Sequence, residues 1–323
     1  MHPTARLVLD GDVRGVARAC RLVDDRVDGF VDMLRDLHPH TGRAWVIGLT
    51  GNPGAGKSTL AGKLIGHWRG LGKRVGVVAV DPSSPFSGGA ILGDRIRMQQ
   101  HFGDSEVFIR SLATRGMLGG LSRSAIGVVR VLDAWGADVI LVETVGVGQD
   151  ELDVVRAAHS TVVVLAPGLG DGIQAIKAGI LEIADVYAVN KADKDGVDSV
   201  VREIELMIGM GRQVGCTEGT GWVPPIVRCV ATRGDGVESL AASLVAHHAW
   251  LRSTLHGDQR EMDRVREQLC IEVRQALVEA AMVELGQDIE RVASEVRRGE
   301  QDPYSACSGL IGAFRGRGIS CPG

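Results

Sequence analysis

The sequence predicts an α/β fold, a doubly wound and mostly parallel sheet of about seven strands with N- and C-terminal helical extensions. Three observations carry this. Seven near-continuous apolar, β-branched runs recur through the middle of the chain, as strands buried on both faces do. Helix-length segments separate them, and crossovers of that length join parallel neighbours with right-handed sense. Both ends instead show apolar residues at three- and four-residue spacing with charges between them. The expected division of the 323 residues is a helical extension over 1–40, a sheet domain over 41–255 and a second helical extension over 256–323.

Taken in order, Val13, Val16, Ala17, Cys20, Val23 and Val27, then Phe30, Val31, Leu34 and Leu37, give one or two amphipathic helices, broken at His38-Pro39-His40. Residues 45–50 form the first strand, followed by a glycine-rich turn and a helix over 56–69. Strands are expected at 74–80, 107–112, 138–142, 161–166, 186–190 and 226–231, with a helix over 121–135. From residue 258, Met262, Val265, Leu269, Val273, Leu277, Ala280 and Val283 trace one long helix ending at Gly286. Shorter helices are expected over 289–296 and 304–314. So short a tail has little core of its own, and its stripe needs a cover, either the main domain or a second copy.

Composition narrows the function classes. Hydrophobic residues make up 45% and charged residues 24%, which excludes a disordered or fibrous chain. A net charge of −4 does not suit a general nucleic-acid or anionic-membrane binder. No apolar run approaches the ~18 residues that span a bilayer, and the N-terminus lacks a signal-peptide apolar core. Six cysteines without a CxxC pair read as reduced thiols of a cytoplasmic protein.

The chemistry concentrates in loops after strands. Gly51-Asn52-Pro53-Gly54-Ala55-Gly56-Lys57-Ser58, followed by Thr59, fits G-x-x-x-x-G-K-[ST] between a strand and a helix. Glycines let backbone N–H groups turn onto phosphates, and the helix N-terminus adds partial positive charge. Lys57 would meet the β- and γ-phosphates and Ser58 would ligate Mg²⁺. Asn190-Lys191-Ala192-Asp193 ends a later strand. The Asp193 carboxylate can accept from both N1–H and the 2-amino group of guanine. Adenine offers no such pair, and an unpaired buried charge costs enough for ~100-fold discrimination. Asn190 would hold the base and brace the phosphate loop, and the stem of Lys191 would cover the ring face. After the next strand, Val230-Ala231 places the Ala231 N–H to meet guanine O6.

Asp81, Asp94 and Glu143 are candidate Mg²⁺-environment residues, Asp81 and Glu143 at strand ends; any one of them alone could be a cap or turn residue. Glu143-x-x-Gly146 stands where small GTPases carry a switch, but the next residue is Val147, which cannot orient water, so hydrolysis should be slow alone. Asp171 and Lys177 could form a mobile pair near the γ-phosphate or a solvated surface pair.

Together, GNPGAGKST, VDPSSPFSGGAILGDRIRM, MLGGLSR, VILVETVGVGQDE, GDGIQAIKAGILEIADV and VNKAD resemble the MeaB/ArgK/MMAA GTPases, of the signal-recognition and metallochaperone class of P-loop NTPases. The resemblance runs over roughly residues 8–315. It implies a GTP-hydrolysing chaperone that gates adenosylcobalamin loading and protects or reactivates an acyl-CoA mutase such as methylmalonyl-CoA mutase. It implies bound GTP or GDP with Mg²⁺, no cobalamin site of the chain's own, a homodimer held through the C-terminal extension, and an indirect link to an adenosyltransferase. Asp81, Asp94 and Glu143 then fall in the magnesium environment. Lys57, Asp94, Glu143, Asp171 and Lys177 become the catalytic set, with Asp171 and Lys177 in a switch that responds to the mutase. Val230 departs from the usual Ser, and Thr114-Arg115-Gly116 from the expected Ser-Ser-Gly. Alternative readings are a nickel-insertion GTPase for hydrogenase or urease and an ATP-dependent transport-linked kinase. The scattered histidines disfavour the first, where His247-His248 reads as a helix-end pair, and the NKAD motif disfavours the second.

Overall fold

The computed structural model describes residues 1–81, 98, 101, 103–113, 123–144, 158–168, 183–213 and 221–317. Asp94, residues 114–116, Val147, Asp171 and Lys177 lie outside them, and of Asp81 only the backbone is described. The chain divides into two units, Met1–Glu261 and Met262–Gly323.

In the first unit, strands β1 (Trp45–Gly51), β2 (Val75–Asp81), β3 (Val107–Ala113), β4 (Val139–Thr144), β5 (Ser160–Leu165), β6 (Val186–Val189) and β7 (Ile226–Arg228) form one sheet. Its order is β3-β2-β4-β1-β5-β6-β7, and every pairing is parallel. All seven expected runs contain a strand, but the last, expected over 226–231, is strand only over Ile226–Arg228. Buried Val, Leu and Ile fill β1, β4 and β5 because helices cover both faces.

Helix α4 (Lys57–Gly70) packs on one face, against Ile47, Leu49 and Leu141. The opposite face carries α1 (Pro3–Leu9), α2 (Val13–Asp24), α3 (Phe30–Leu37) and α5 (Arg123–Ala134) against Val46, Val78, Ile140 and Val142. Along that face α6 (Val197–Gln213) covers Val163, Leu165 and Val189. Helix α7 (Val237–Ser253) joins α4 on the first face through Leu240 and Leu244. The Asp133 carboxylate accepts the N–H groups of Gly42 (2.6 Å), Arg43 (3.1 Å) and Ala44 (2.9 Å), which fixes where the chain enters β1.

Two local expectations need correction. The N-terminal region holds three α-helices, not one or two. Left-handed glycines, Gly11 at φ +80° and Gly29 at φ +85°, separate them, and Asp12 caps α2 by accepting from Arg14 N–H at 3.0 Å and Gly15 N–H at 3.2 Å. At the other end, Gly286 does not stop the long helix. Helix α8 runs unbroken over Leu255–Arg297. A mid-helix glycine costs only about 1 kcal/mol, which the rest of a long helix readily absorbs. The stop is Gly299 at φ +73°, where the N–H groups of Gly299 and Glu300 close onto Val296 O (3.0 Å) and Glu295 O (3.1 Å). Helix α9 (Pro303–Arg317) follows, its start capped by Asp302. Within the second unit, Leu269, Val273, Met282 and Val283 of α8 are more than half exposed, at 61%, 56%, 61% and 84%.

Candidate functional site: a guanine-nucleotide cradle

The site lies at the C-terminal ends of the central strands, where open α/β sheets bind their ligands. Strand β1 ends in a loop whose path only glycine allows at two points. Gly51 has φ +130°, and a Cβ there would stand 2.0 Å from Val164 O of β5. Gly56 has φ +94°, and a Cβ there would stand 2.3 Å from Asn190 Nδ2. Both close approaches bring the loop against strands that arrive much later in the sequence.

Lys57 opens α4 and turns back over the loop. Its Nζ donates to Gly51 O at 2.6 Å and Asn52 O at 3.0 Å, so the ammonium is already held inside the cradle. Beside it Ser58 Oγ donates to Glu143 Oε1 at 2.6 Å. Glu143 reaches this point because β4 pairs with β1 in a register that sets it opposite Leu49. Both side chains are buried. One residue further along each strand, Thr144 Oγ1 stands 3.4 Å from Thr50 Oγ1, a contact that motif reading missed. The hydroxyl and carboxylate of Ser58 and Glu143 are the hard oxygen donors that Mg²⁺ takes.

Asn190 is the hub. Buried at the end of β6, it donates from Nδ2 to Ala55 O at 2.7 Å and accepts at Oδ1 from Ala231 N–H at 3.0 Å. One carboxamide thus joins the phosphate loop, β6 and the loop after β7. Lys191, at φ +57°, donates from Nζ to Gly54 O at 2.8 Å, so its stem lies across the mouth of the cradle. Asp193 is exposed and lines an open depression of ≈ 530 Å³ with Pro167, Gly168, Lys191, Lys194 and Asp195. Gly168 is among the glycines where the sequence places backbone close to a ligand, whereas Pro167 was not expected. They follow one residue after β5, the strand beside β1, and the strand-end rule points there.

The second base loop follows β7. Both of its N–H groups are engaged within the protein: Val230 donates to Asp235 O at 3.0 Å and Ala231 to Asn190 Oδ1. This loop braces Asn190. Nearby, burial pushes the Cys229 thiol up to about 11, which leaves it unreactive. The Asp235 carboxylate, 2.8 Å from Arg233 Nε, holds that guanidinium pKa above its ordinary value. Of the expected residues, the structure brings together Asn52, Gly54, Ala55, Gly56, Lys57, Ser58, Glu143, Asn190, Lys191 and Ala231 in one connected set. Pro53 is exposed on the rim and Thr59 lies in the first turn of α4.

Comparison with known proteins agrees with this geometry. The family described as methylmalonyl Co-A mutase-associated GTPase MeaB matches residues 16–285. The chain is 44% identical over 313 residues to a Pyrococcus abyssi protein designated a GTPase by inference, covering 96% of this chain and 95% of that one. It is 33% identical over 274 residues to GTPase ArgK of Escherichia coli, covering 83% and 80% of the two chains. It is 38% identical over 197 residues to the mitochondrial methylmalonic aciduria type A homolog of Mus musculus, covering 60% of this chain and 46% of that protein. A crystal structure titled LAO/AO transport system kinase superposes with a TM-score of 0.67 at 22% identity, covering 97% and 96%, and shares the fold. With the glycine-rich loop, the Asn190 hub and the buried serine–glutamate pair in place and the family model matching residues 16–285, the chain belongs to the MeaB family of methylmalonyl-CoA mutase-associated GTPases.

Proposed function

We propose that this protein binds GTP and GDP in the cradle around Lys57 and Asn190, hydrolyses GTP slowly alone, and acts as a chaperone of an adenosylcobalamin-dependent acyl-CoA mutase such as methylmalonyl-CoA mutase. In this role it gates cofactor loading and protects or reactivates the mutase. The observation that carries the nucleotide reading is the Asn190 bridge between Ala55 O and Ala231 N–H, which holds Asp193 at the mouth of the same cradle. Family membership supports the mutase as partner.

Each residue has a task in this reading. N–H groups of the loop and of the first turn of α4 receive the phosphates, with Lys57 as a point charge already aimed inward. Ser58 and Glu143 hold Mg²⁺, with Asp81 and Asp94 as further candidates. The ion supplies positive charge that offsets the charge developing on the transferred phosphate. Asp193 accepts the guanine donor pair. Val147 offers nothing to orient water, so turnover waits for a partner, with Asp171 and Lys177 as the responsive pair. The second unit supplies the self-association surface of a homodimer.

Isothermal calorimetry with GDP, GTP, ADP and ATP tests the nucleotide reading; comparable affinities for GTP and ATP overturn it. Retention of a cobalamin mutase on immobilised protein, tested with each acyl-CoA mutase in turn, checks the partner.

A further inference from the structure

At the opposite ends of β5 and β6 from the nucleotide site sits a buried polar cluster that the chemistry above does not use. Asp185, just before β6, is its centre. Arg260 grips it with a fork, Nη1 to Oδ1 at 2.7 Å and Nη2 to Oδ2 at 2.8 Å. The Thr161 N–H donates to Oδ2 at 2.7 Å, and His247 Nε2 stands 3.3 Å from Oδ1. Ser160 Oγ accepts from Trp45 Nε1 at 3.1 Å and lies 2.9 Å from His247 Nδ1. A hydroxyl that receives the indole proton can give its own to Nδ1, an arrangement that puts the hydrogen of a neutral His247 on Nε2, the side of Asp185. Trp222 Nε1 donates to Asp185 O at 2.9 Å. His247, read from sequence as half of a helix-end pair, is thus a fully buried member of this cluster.

Arg260 lies in the second turn of α8, within the first unit. Asp185 lies where β6 begins. That strand, Val186–Val189, is four residues long, and its far end delivers Asn190 and Asp193. One short strut therefore carries a polar clasp at each end. Close-packed interiors transmit strain, so displacement at one end of such a strut is felt at the other. The Asp185 carboxylate is buried although Arg260 is part-exposed, so this forked pair is also an unforgiving seat: removing the guanidinium leaves an uncompensated charge inside.

We propose that the Arg260–Asp185 clasp positions the base-reading strand: Arg260 is a positioning residue that keeps β6 where Asn190 can bridge Ala55 and Ala231, so nucleotide affinity depends on the seating of the first turns of α8. By linkage, bound nucleotide tightens the clasp by the same factor. This inference rests on the nucleotide reading above, and its test separates the two.

Arg260→Met keeps the aliphatic length and removes the fork; Arg260→Lys keeps the charge without the fork. The full-length variants are checked for folding by circular dichroism and titrated with GDP. Amide hydrogen exchange at residues 256–262 is followed with and without GDP. GDP affinity falls ~10-fold in Arg260→Met and less in Arg260→Lys, with the preference for GDP over ADP kept. Saturating GDP slows exchange at residues 256–262 in the wild type and not in Arg260→Met, an effect that a merely structural ion pair does not produce. A folded Arg260→Met that binds GDP within about twofold of the wild type overturns the clasp, as does wild-type exchange at residues 256–262 that ignores GDP. If Arg260→Met does not fold, the Arg260→Lys titration and the wild-type exchange decide by the same criteria. Wild-type protein that binds no GDP overturns the nucleotide reading as well, whereas the other failures leave that reading standing.

Discussion

Asp193 and His247 make opposite use of their surroundings. Asp193 stays exposed at the mouth of a depression, where its charge is free to meet a ligand. Asp193→Asn exchanges an acceptor for a group that can also donate. Nucleotide preference is therefore expected to move from guanosine toward xanthosine, whose C2 carbonyl accepts, and competition binding with GDP and XDP reads this directly. His247 is buried and neutral. Desolvation lowers its pKa from the ordinary 6.5 to about 4, outweighing the attraction of Asp185, while Arg260, His248 and His256 push the same way as burial. The unfolded chain takes up a proton below pH 6.5 that the folded chain refuses until about 4, so stability falls as pH drops through that window. The total loss is about 3 kcal/mol at 1.36 kcal/mol per unit. Urea unfolding at pH 7 and pH 5 should show the decline, and His247→Gln should flatten it. The two residues also differ in legibility. Asp193 belongs to a four-residue motif whose spacing names its job. His247, Asp185, Arg260 and Ser160 have no such motif, because their meeting depends on how four elements pack.

At the scale of elements, strands were easier to read than helix ends. Burial on both faces leaves strands such as β1 and β5 with uninterrupted apolar residues, a signal that survives without any tertiary information. Helix boundaries rest on a single residue's conformation. Gly286 and Gly299 look alike in sequence, but only Gly299 adopts the left-handed geometry that ends a helix. Gly286 lies exposed within α8, with nothing within 4 Å of where a Cβ would stand. Gly286→Ala is therefore expected to stabilise the protein by about 0.5–1 kcal/mol, through helix propensity and a less flexible unfolded chain. Denaturant titration measures it, and a loss of stability would mean that the position has a packing role. Within the site, the same limit hid the bracing role of Ala231: its N–H faces Asn190 through a contact between residues far apart in sequence.

For the whole molecule, the exposed apolar residues of the second unit bear on assembly. Leu269, Val273 and Met282 are 61%, 56% and 61% exposed, and stripes of this kind mark interfaces. The wild type is expected to be a dimer by light scattering at micromolar concentration, and Leu269→Glu with Val273→Glu a folded monomer. A monomeric wild type would remove this unit from the assembly argument. Addition of the cognate cobalamin mutase is expected to raise the GTPase rate at least ~10-fold, a coupling of about 1.4 kcal/mol. Lys177→Ala should lose most of that stimulation while keeping GDP affinity, because its proposed place is near the γ-phosphate. Single-turnover rates with and without mutase decide it; full stimulation of the variant, or loss of GDP binding, removes Lys177 from the switch.

The central position of β1 also sets a schedule for biosynthesis. Its partners, β4 and β5, are translated long after it. At ~5–20 residues per second, the edge of Trp45–Gly51 waits roughly ten seconds for Ser160–Leu165 to be made. During that interval an apolar strand stands with unpaired backbone groups, the condition that invites mispairing with another nascent chain. The loop cannot take its final shape either, since Gly51 is moulded against Val164. A ribosome-stalled chain ending before residue 160 is therefore expected to carry the full phosphate-binding motif without nucleotide affinity, so that the proposed binding of GTP would arrive late and abruptly during synthesis.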